Sequence, residues 1–148
     1  MPFDVLKRLL TATESEPAAL EDARAAIAAV LVMAARADDH YADEEKRIID
    51  SVLVERFKVT PEEAIKLREE GEEAEAEAID HYQFTKAIKQ AVPHDDRVEV
   101  LEGLWRVILA DDQRDAHEDA LMRQLVDRLG LAPMDSVRAR NAAGADQG

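Results

Sequence analysis

Apolar residues along the chain recur at intervals of three and four, the period of a helix buried on one face. Phe3, Leu6, Leu9 and Leu10 share one side of a short amphipathic helix that caps the core or serves a membrane or partner. The polar stretch "TATESEP" follows, and Pro17 suits the first turn of the next helix. That helix is expected to reach about Ala37 and to bury Ile27, Val30, Leu31 and Ala34. Ile48, Ile49, Val52 and Leu53 mark another, ending near Phe57. In "VTPEE", Thr60 suits an N-cap, Pro61 the first helical position and Glu63 the reciprocal half of a capping box. The helix so started, Pro61 to about Glu77, carries eight Glu and a thin apolar edge at Ile65 and Leu67, so it reads as a solvated face.

"IDHYQF" is a further start signal. Asp80 is expected to cap, Gln83 to reach back and Ile79 to staple against Phe84, with Tyr82, Phe84, Ile88 and Val92 turned to the core. Beyond "VPHDD" lie two strong stripes: Val98, Leu101, Leu104, Trp105 and Ile108, then Leu121, Met122, Leu125, Val126 and Leu129. Gly130 is the left-handed stop of the second stripe. A last short helix is expected over Met134 to Arg140. No segment alternates with period two, so the expected fold is all-α, a compact bundle of seven or eight helices. The expected organisation is a short amphipathic helix and linker (1–16), one helical domain (17–140) and a disordered tail (141–148).

Composition narrows the function. Hydrophobic residues make up 47% of the 148 residues, aromatics only 4%, a balance that favours helices. The net charge of −14 repels nucleic acid and anionic lipid and suits cations or a basic protein surface. The absence of cysteine excludes disulfides, thiolate metal sites and a cysteine nucleophile. The longest apolar run, Ala25 to Ala35, is a core helix and too short to span a bilayer. A cytoplasmic protein without membrane insertion is expected.

The chemistry lies in a repeat. "ADDHYADEE" begins at Ala37 and "ADDQRDAHE" at Ala110. Asp38 aligns with Asp111, Asp39 with Asp112 and Glu45 with Glu118. One residue of slip later, "ERFKVTP" aligns with "DRLGLAP". Each copy is therefore a helix, an acidic loop, a helix and a stop, and two such hairpins can pack as a pseudo-symmetric bundle. Two readings of these carboxylates stand side by side. If Ala42 and Asp115 are N-caps, Glu45 and Glu118 fall at the third helical position and cap the backbone, while Asp38 and Asp111 bond to loop amides. The same geometry converges two or three carboxylates of Asp38, Asp39 and Glu45, and of Asp111, Asp112 and Glu118, on one small loop. Such oxygens suit Ca²⁺, Mg²⁺ or Mn²⁺. His40 and His117 lie nearby and would shift the preference toward Zn²⁺. The loop is too short for an EF-hand and lacks its central glycine.

No Glu-x-x-His, phosphate-binding Gly-rich loop or Gly-x-Ser-x-Gly is present. A metal-dependent hydrolase built on the same loops would need an enclosed pocket beside them. Trp105, on a core stripe, reads as packing.

From about Ala23 to Arg138, these two acidic loops with their "LGL"-type stop resemble the tellurite-resistance TerB family. The family pattern is often Ala-Asp-Gly, some five residues, then Glu; here Asp39 and Asp112 stand in place of the Gly. The resemblance implies a compact helical fold and divalent metal held by Asp38, Glu45, Asp111 and Glu118. It implies no enzymatic activity, and a stress-response role in complexes often associated with the inner membrane. The combined expectation is a non-enzymatic, cation-binding interaction module, cytoplasmic or peripheral to the inner membrane, whose acidic face docks a protein with a basic surface. A purely structural module without metal is the alternative.

Overall fold

A computed structural model describes the backbone of residues 17–37, 41–110 and 116–147, and side-chain surroundings for 23–37, 41–110 and 119–144. The expected helix at 3–10 lies outside the described residues. Among those residues the chain is all-helical: α1 (Pro17–Arg36), α2 (Asp43–Phe57), α3 (Pro61–Glu77), α4 (Tyr82–Ala91), α5 (His94–Leu109), α6 (Ala116–Arg128) and α7 (Pro133–Gln147).

The centre is α1. Its run from Ala25 is apolar on every side, and a helix of that kind has to be enclosed by its neighbours. Ile27, Ala28, Ala29, Val30, Leu31 and Val32 are accordingly all fully buried. Its broadest contact is with α3, followed by α4 and α5. The second-broadest contact in the molecule joins α5 to α7. The repeat thus extends past the hairpins read from the sequence. Each half is a three-helix unit, α1–α2–α3 or α5–α6–α7, whose first and third helices pack broadly, and α4 links the two.

Small residues permit the close approach of α1 and α3. A Cβ on Gly71 would lie 2.7 Å from the backbone carbonyl carbon of Ala28 and 2.8 Å from the Ala29 nitrogen. In the second half, Ala143 stands where the first has Gly71, and it is fully buried. The seam between the halves is formed largely by α2 on α5 and α1 on α5.

The two units begin and end their helices alike. Lys58 closes α2 in the left-handed region, with φ of 58°, and Gly130 closes α6 with φ of 71°. Thr60 caps α3 in a complete capping box: its Oγ1 accepts from the Glu63 amide at 3.1 Å, and Glu63 Oε1 accepts from the Thr60 amide at 2.8 Å. That second bond holds the Glu63 carboxyl below its ordinary pKa. At α7, Asp135 Oδ2 accepts from the Ala132 amide at 2.8 Å, the same back-reach without the cap hydroxyl.

Several expectations are corrected. The staple between Ile79 and Phe84 does not form, because Ile79 is fully exposed. Asp80 instead accepts from the Tyr82 amide at 2.9 Å, and His81 precedes α4. Tyr82 lies outside the core, 49% exposed, with the Arg128 guanidinium 3.1 Å from its ring centroid. The acidic helix α3 is more than a solvated face: Ala64, Leu67 and Gly71 are buried, while Ile65 is exposed. Alanine and glycine supply a contact surface that a stripe of large residues would have advertised. The expected tail from residue 141 is helical through Gln147, since Ala139 and Ala143, one turn apart, are buried on the helix that packs against α5.

Candidate functional site

The two acidic loops connect α1 to α2 and α5 to α6. Asp38, Asp39, Asp111 and Asp112 lie outside the described residues, as does His40, and the side chains of His117 and Glu118 are not described. The backbone nevertheless fixes the register of both glutamates. Ala42 is the N-cap of α2, with φ −103° and ψ 177°, and offers no side-chain acceptor. Glu45 is therefore the third residue of α2, and Glu118 is the third residue of α6. The Glu45 amide donates to the Ala42 carbonyl at 3.1 Å, and the Glu45 side chain is half-buried. Among the described residues no group of three or more His, Asp or Glu is arranged to hold a metal ion.

Around the first loop the structure builds a network that the sequence patterns did not reveal. Arg36, at the end of α1, pairs with Glu75 of α3. Tyr41, two residues before α2, donates its hydroxyl to Glu72 of α3. Glu72 also accepts from Arg68 Nη1 at 2.9 Å, and Arg68 Nε donates to Asp50 of α2 at 2.7 Å. The Arg36 guanidinium and the Lys46 ammonium lie 4.8 and 5.4 Å from the Tyr41 ring centroid. Burial alone would raise the Glu72 carboxyl. Hydrogen bonds from Tyr41 and Arg68, with the charges of Arg68 and Lys46, outweigh burial and hold it below the usual carboxylate range. Burial and the Glu72 carboxylate push the Tyr41 phenol up. Both ends of the first loop are thereby tied to α3. The one sequence signal for this network is the four-residue spacing of Arg68 and Glu72 on one helix face.

The second loop has different flanks. Leu109 stands where the first copy has Arg36, and Gly144 and Gln147 stand on α7 where α3 has Glu72 and Glu75. The faces of α5, α6 and α7 instead enclose a groove of about 540 Å³, lined by Trp105, Met122, Val126, Leu131 and Val137, with Arg123 and Arg140 among its polar residues. The Trp105 indole donates to Ser136 Oγ at 3.0 Å, and the Arg140 guanidinium lies 5.4 Å from its ring. Trp105 itself is 7% exposed, in keeping with a packing role.

Carboxylate oxygens are the donors the two loops offer, and hard divalent cations are the ions such donors suit. In each half one glutamate of this set stands in the first turn of a helix, Glu45 in α2 and Glu118 in α6. The fold and the loops define a duplicated helical domain with one acidic loop in each half. Residues 24–141 match the family model described as "Tellurite resistance protein TerB", and the chain belongs to that family. No curated protein and no solved structure matches it.

Proposed function

We propose that this TerB-family chain is a non-enzymatic module whose two acidic loops bind divalent cations and whose acidic face docks a protein with a basic surface. The observation that supports cation binding is the duplicated register. Two loops with the same Asp-Asp spacing each lead into a helix with Glu at its third position, Glu45 and Glu118. Asp38, Asp39 and Glu45 are the ligands proposed in the first half, and Asp111, Asp112 and Glu118 in the second. The mechanism is electrostatic. Without a cation the clustered carboxylates repel and fray the helix ends that meet at each loop. A bound cation offsets that repulsion and fixes the angle between the helices of each hairpin.

The docking face is α3 and the groove it forms with α1, where Glu70, Glu73 and Glu77 accompany Arg24 and Lys66. Six of the eight Glu on α3 are exposed. A basic partner is the complement of this field, and the net charge of −14 speaks against nucleic acid. No helix among the described residues is long and apolar enough to cross a membrane. Action in the cytoplasm, in a stress-response complex peripheral to the inner membrane, is part of the same proposal.

Thermal melting in the presence of Ca²⁺, Mg²⁺, Mn²⁺ or Zn²⁺ tests the cation reading. An ion at 100 times its dissociation constant stabilises a single-site protein by about 2.7 kcal/mol. For a chain of this size that corresponds to a rise in Tm of about 5–11 °C. Asp38→Ala combined with Asp111→Ala removes the rise while the helical circular dichroism spectrum is kept. Unchanged melting with all four ions would favour a structural module in which the carboxylates only cap helices.

A further inference from the structure

The seam between the halves carries an ionic cluster that the acidic loops do not explain. Arg56, in the last turn of α2, directs Nη1 at two carboxylates of α5: Glu102 Oε1 at 2.7 Å and Glu99 Oε1 at 3.2 Å. All three side chains are largely withdrawn from water, at 13% exposure for Arg56, 10% for Glu99 and 16% for Glu102. Glu99 and Glu102 are three residues apart and share a face of α5. One guanidinium therefore serves two carboxylates where water screens poorly. With both ionised, the cluster holds a net negative charge and a like-charge pair, and such a pair lowers its energy by retaining a proton.

We propose that Glu99 and Glu102 share one proton beside Arg56, and that the gain and loss of this proton sets how tightly α2, and with it the first half, is held against α5 of the second. The protonated cluster is neutral: one carboxylate, one carboxylic acid and one guanidinium. The deprotonated cluster carries one uncompensated charge at the helix contact.

Burial, then the charge of Glu99, push the Glu102 carboxyl up to about 7, with Arg56 working in the opposite direction. Those are the charges that act on it from α5 and α2. Among the described residues Arg106 of α5 also pairs with Glu55 of α2 at 2.8 Å, on a more exposed edge where Glu55 is 54% exposed. Of the other helices packed broadly on α5, α1 buries Ile27 and Leu31, and α7 buries Ala139 and Ala143 and brings the Arg140 guanidinium over Trp105 at 5.4 Å.

The sign follows from proton counting. In the unfolded chain Glu102 loses its proton near pH 4.5, and in the folded chain near 7. Between those values the folded state binds more protons, so stability falls as pH rises through the window and levels off above it. A carboxylate stabilised by an ordinary salt bridge gives the opposite slope.

Carboxyl ¹³C NMR of the full chain, with the Glu102 resonance assigned by its loss in Glu102→Gln, measures the proton directly. A midpoint near neutrality is expected; a midpoint in the ordinary carboxylate range overturns the proposal. Melting of the wild type and of Glu102→Gln from pH 5.5 to 8.5 measures the consequence. The wild-type Tm is expected to fall relative to the variant, which melts higher at pH 8.5. Parallel curves, or a variant that melts lower at pH 8.5, sink the idea. At that pH, amide exchange in residues 49–57 is expected to be faster in the wild type than in the variant. Equal rates there would remove the link to the seam.

Discussion

The two halves share a backbone plan and differ in what surrounds it. In each, an acidic loop leads into a helix with Glu third in line, a left-handed residue closes that helix, and a proline opens the next. Around the first loop, Arg36, Tyr41, Arg68, Glu72 and Asp50 tie the loop ends to α3 through charged hydrogen bonds. Around the second half, an apolar groove under Trp105 occupies α5, α6 and α7. The stops and starts, which are backbone requirements, are common to both halves, while the side chains between them differ and make different contacts.

The shared core is where the two halves are most alike. Phe57 and Leu129 hold matching positions just before the left-handed residues, and both are fully buried. Phe57→Ala is expected to cost about 3–5 kcal/mol and Leu129→Ala about 2–5 kcal/mol. Urea unfolding measures both. A loss under 1 kcal/mol at either site would mean that the halves do not rest on equivalent anchors.

A second pair of substitutions sharpens the contrast between the third helices. Gly71→Ala forces a Cβ into the backbone of α1 and is expected to cost about 1–3 kcal/mol. Gly144→Ala meets nothing within 4 Å and is expected to gain up to about 1 kcal/mol from helix propensity. Chemical denaturation of the two variants reads opposite signs for the same change.

The network at the first loop gives a smaller effect with a pH signature. Tyr41→Phe removes the hydrogen bond to Glu72 and is expected to cost about 1 kcal/mol at pH 7. Because the Glu72 carboxyl is held below its usual range, its contribution is present above the unfolded value of 4.5 and is lost as pH falls through the folded one. The deficit of the variant is therefore expected to shrink on acidification from pH 7 to pH 3, followed by urea midpoints. A constant deficit would show that Tyr41 acts by packing alone.

The left-handed stops respond in opposite directions, and Lys58 gives the weakest response of all. Lys58 occupies a conformation that costs a side chain about 1–2 kcal/mol, part of which glycine returns as unfolded-state entropy. Lys58→Gly is expected to raise stability by about 0.5 kcal/mol, and Gly130→Ala, whose Cβ would also lie 2.9 Å from Arg97 Nη1, to lower it by about 1 kcal/mol. Thermal melting checks both, with Tm expected to rise by about 1–2 °C for Lys58→Gly and to fall by about 2–4 °C for Gly130→Ala.

Most of the helices were legible because their determinants are local. The Pro61–Glu77 helix follows from Thr60, Pro61 and Glu63, three adjacent signals that act through backbone groups within one turn. The α2 and α6 starts, and with them the register of Glu45 and Glu118, follow from the repeat. Less was legible where small residues carry the packing. Gly71, Ala139 and Ala143 give no strong apolar stripe, so α3 reads as solvated and α7 as ending early, although close approach to α1 and α5 buries both faces. Of the proposed ligands, the sequence supplied the whole set, Asp38, Asp39, Glu45, Asp111, Asp112 and Glu118. The structure adds the helical position of two of them and the surroundings of Glu45.

Fold class, duplicated plan, acidic loops and family are all readable along the chain, since periodicity, caps and repeat spacing are properties of sequence neighbours. Which charges meet is settled by the packing of the helices. Arg56 is 43 residues from Glu99, and Tyr41 is 31 from Glu72. Pairings of that range depend on how helices cross, and no local pattern encodes them. The same holds for burial of the Glu99–Glu102 pair, which turns two ordinary surface-type residues into a shared-proton site only when α2 lies across them.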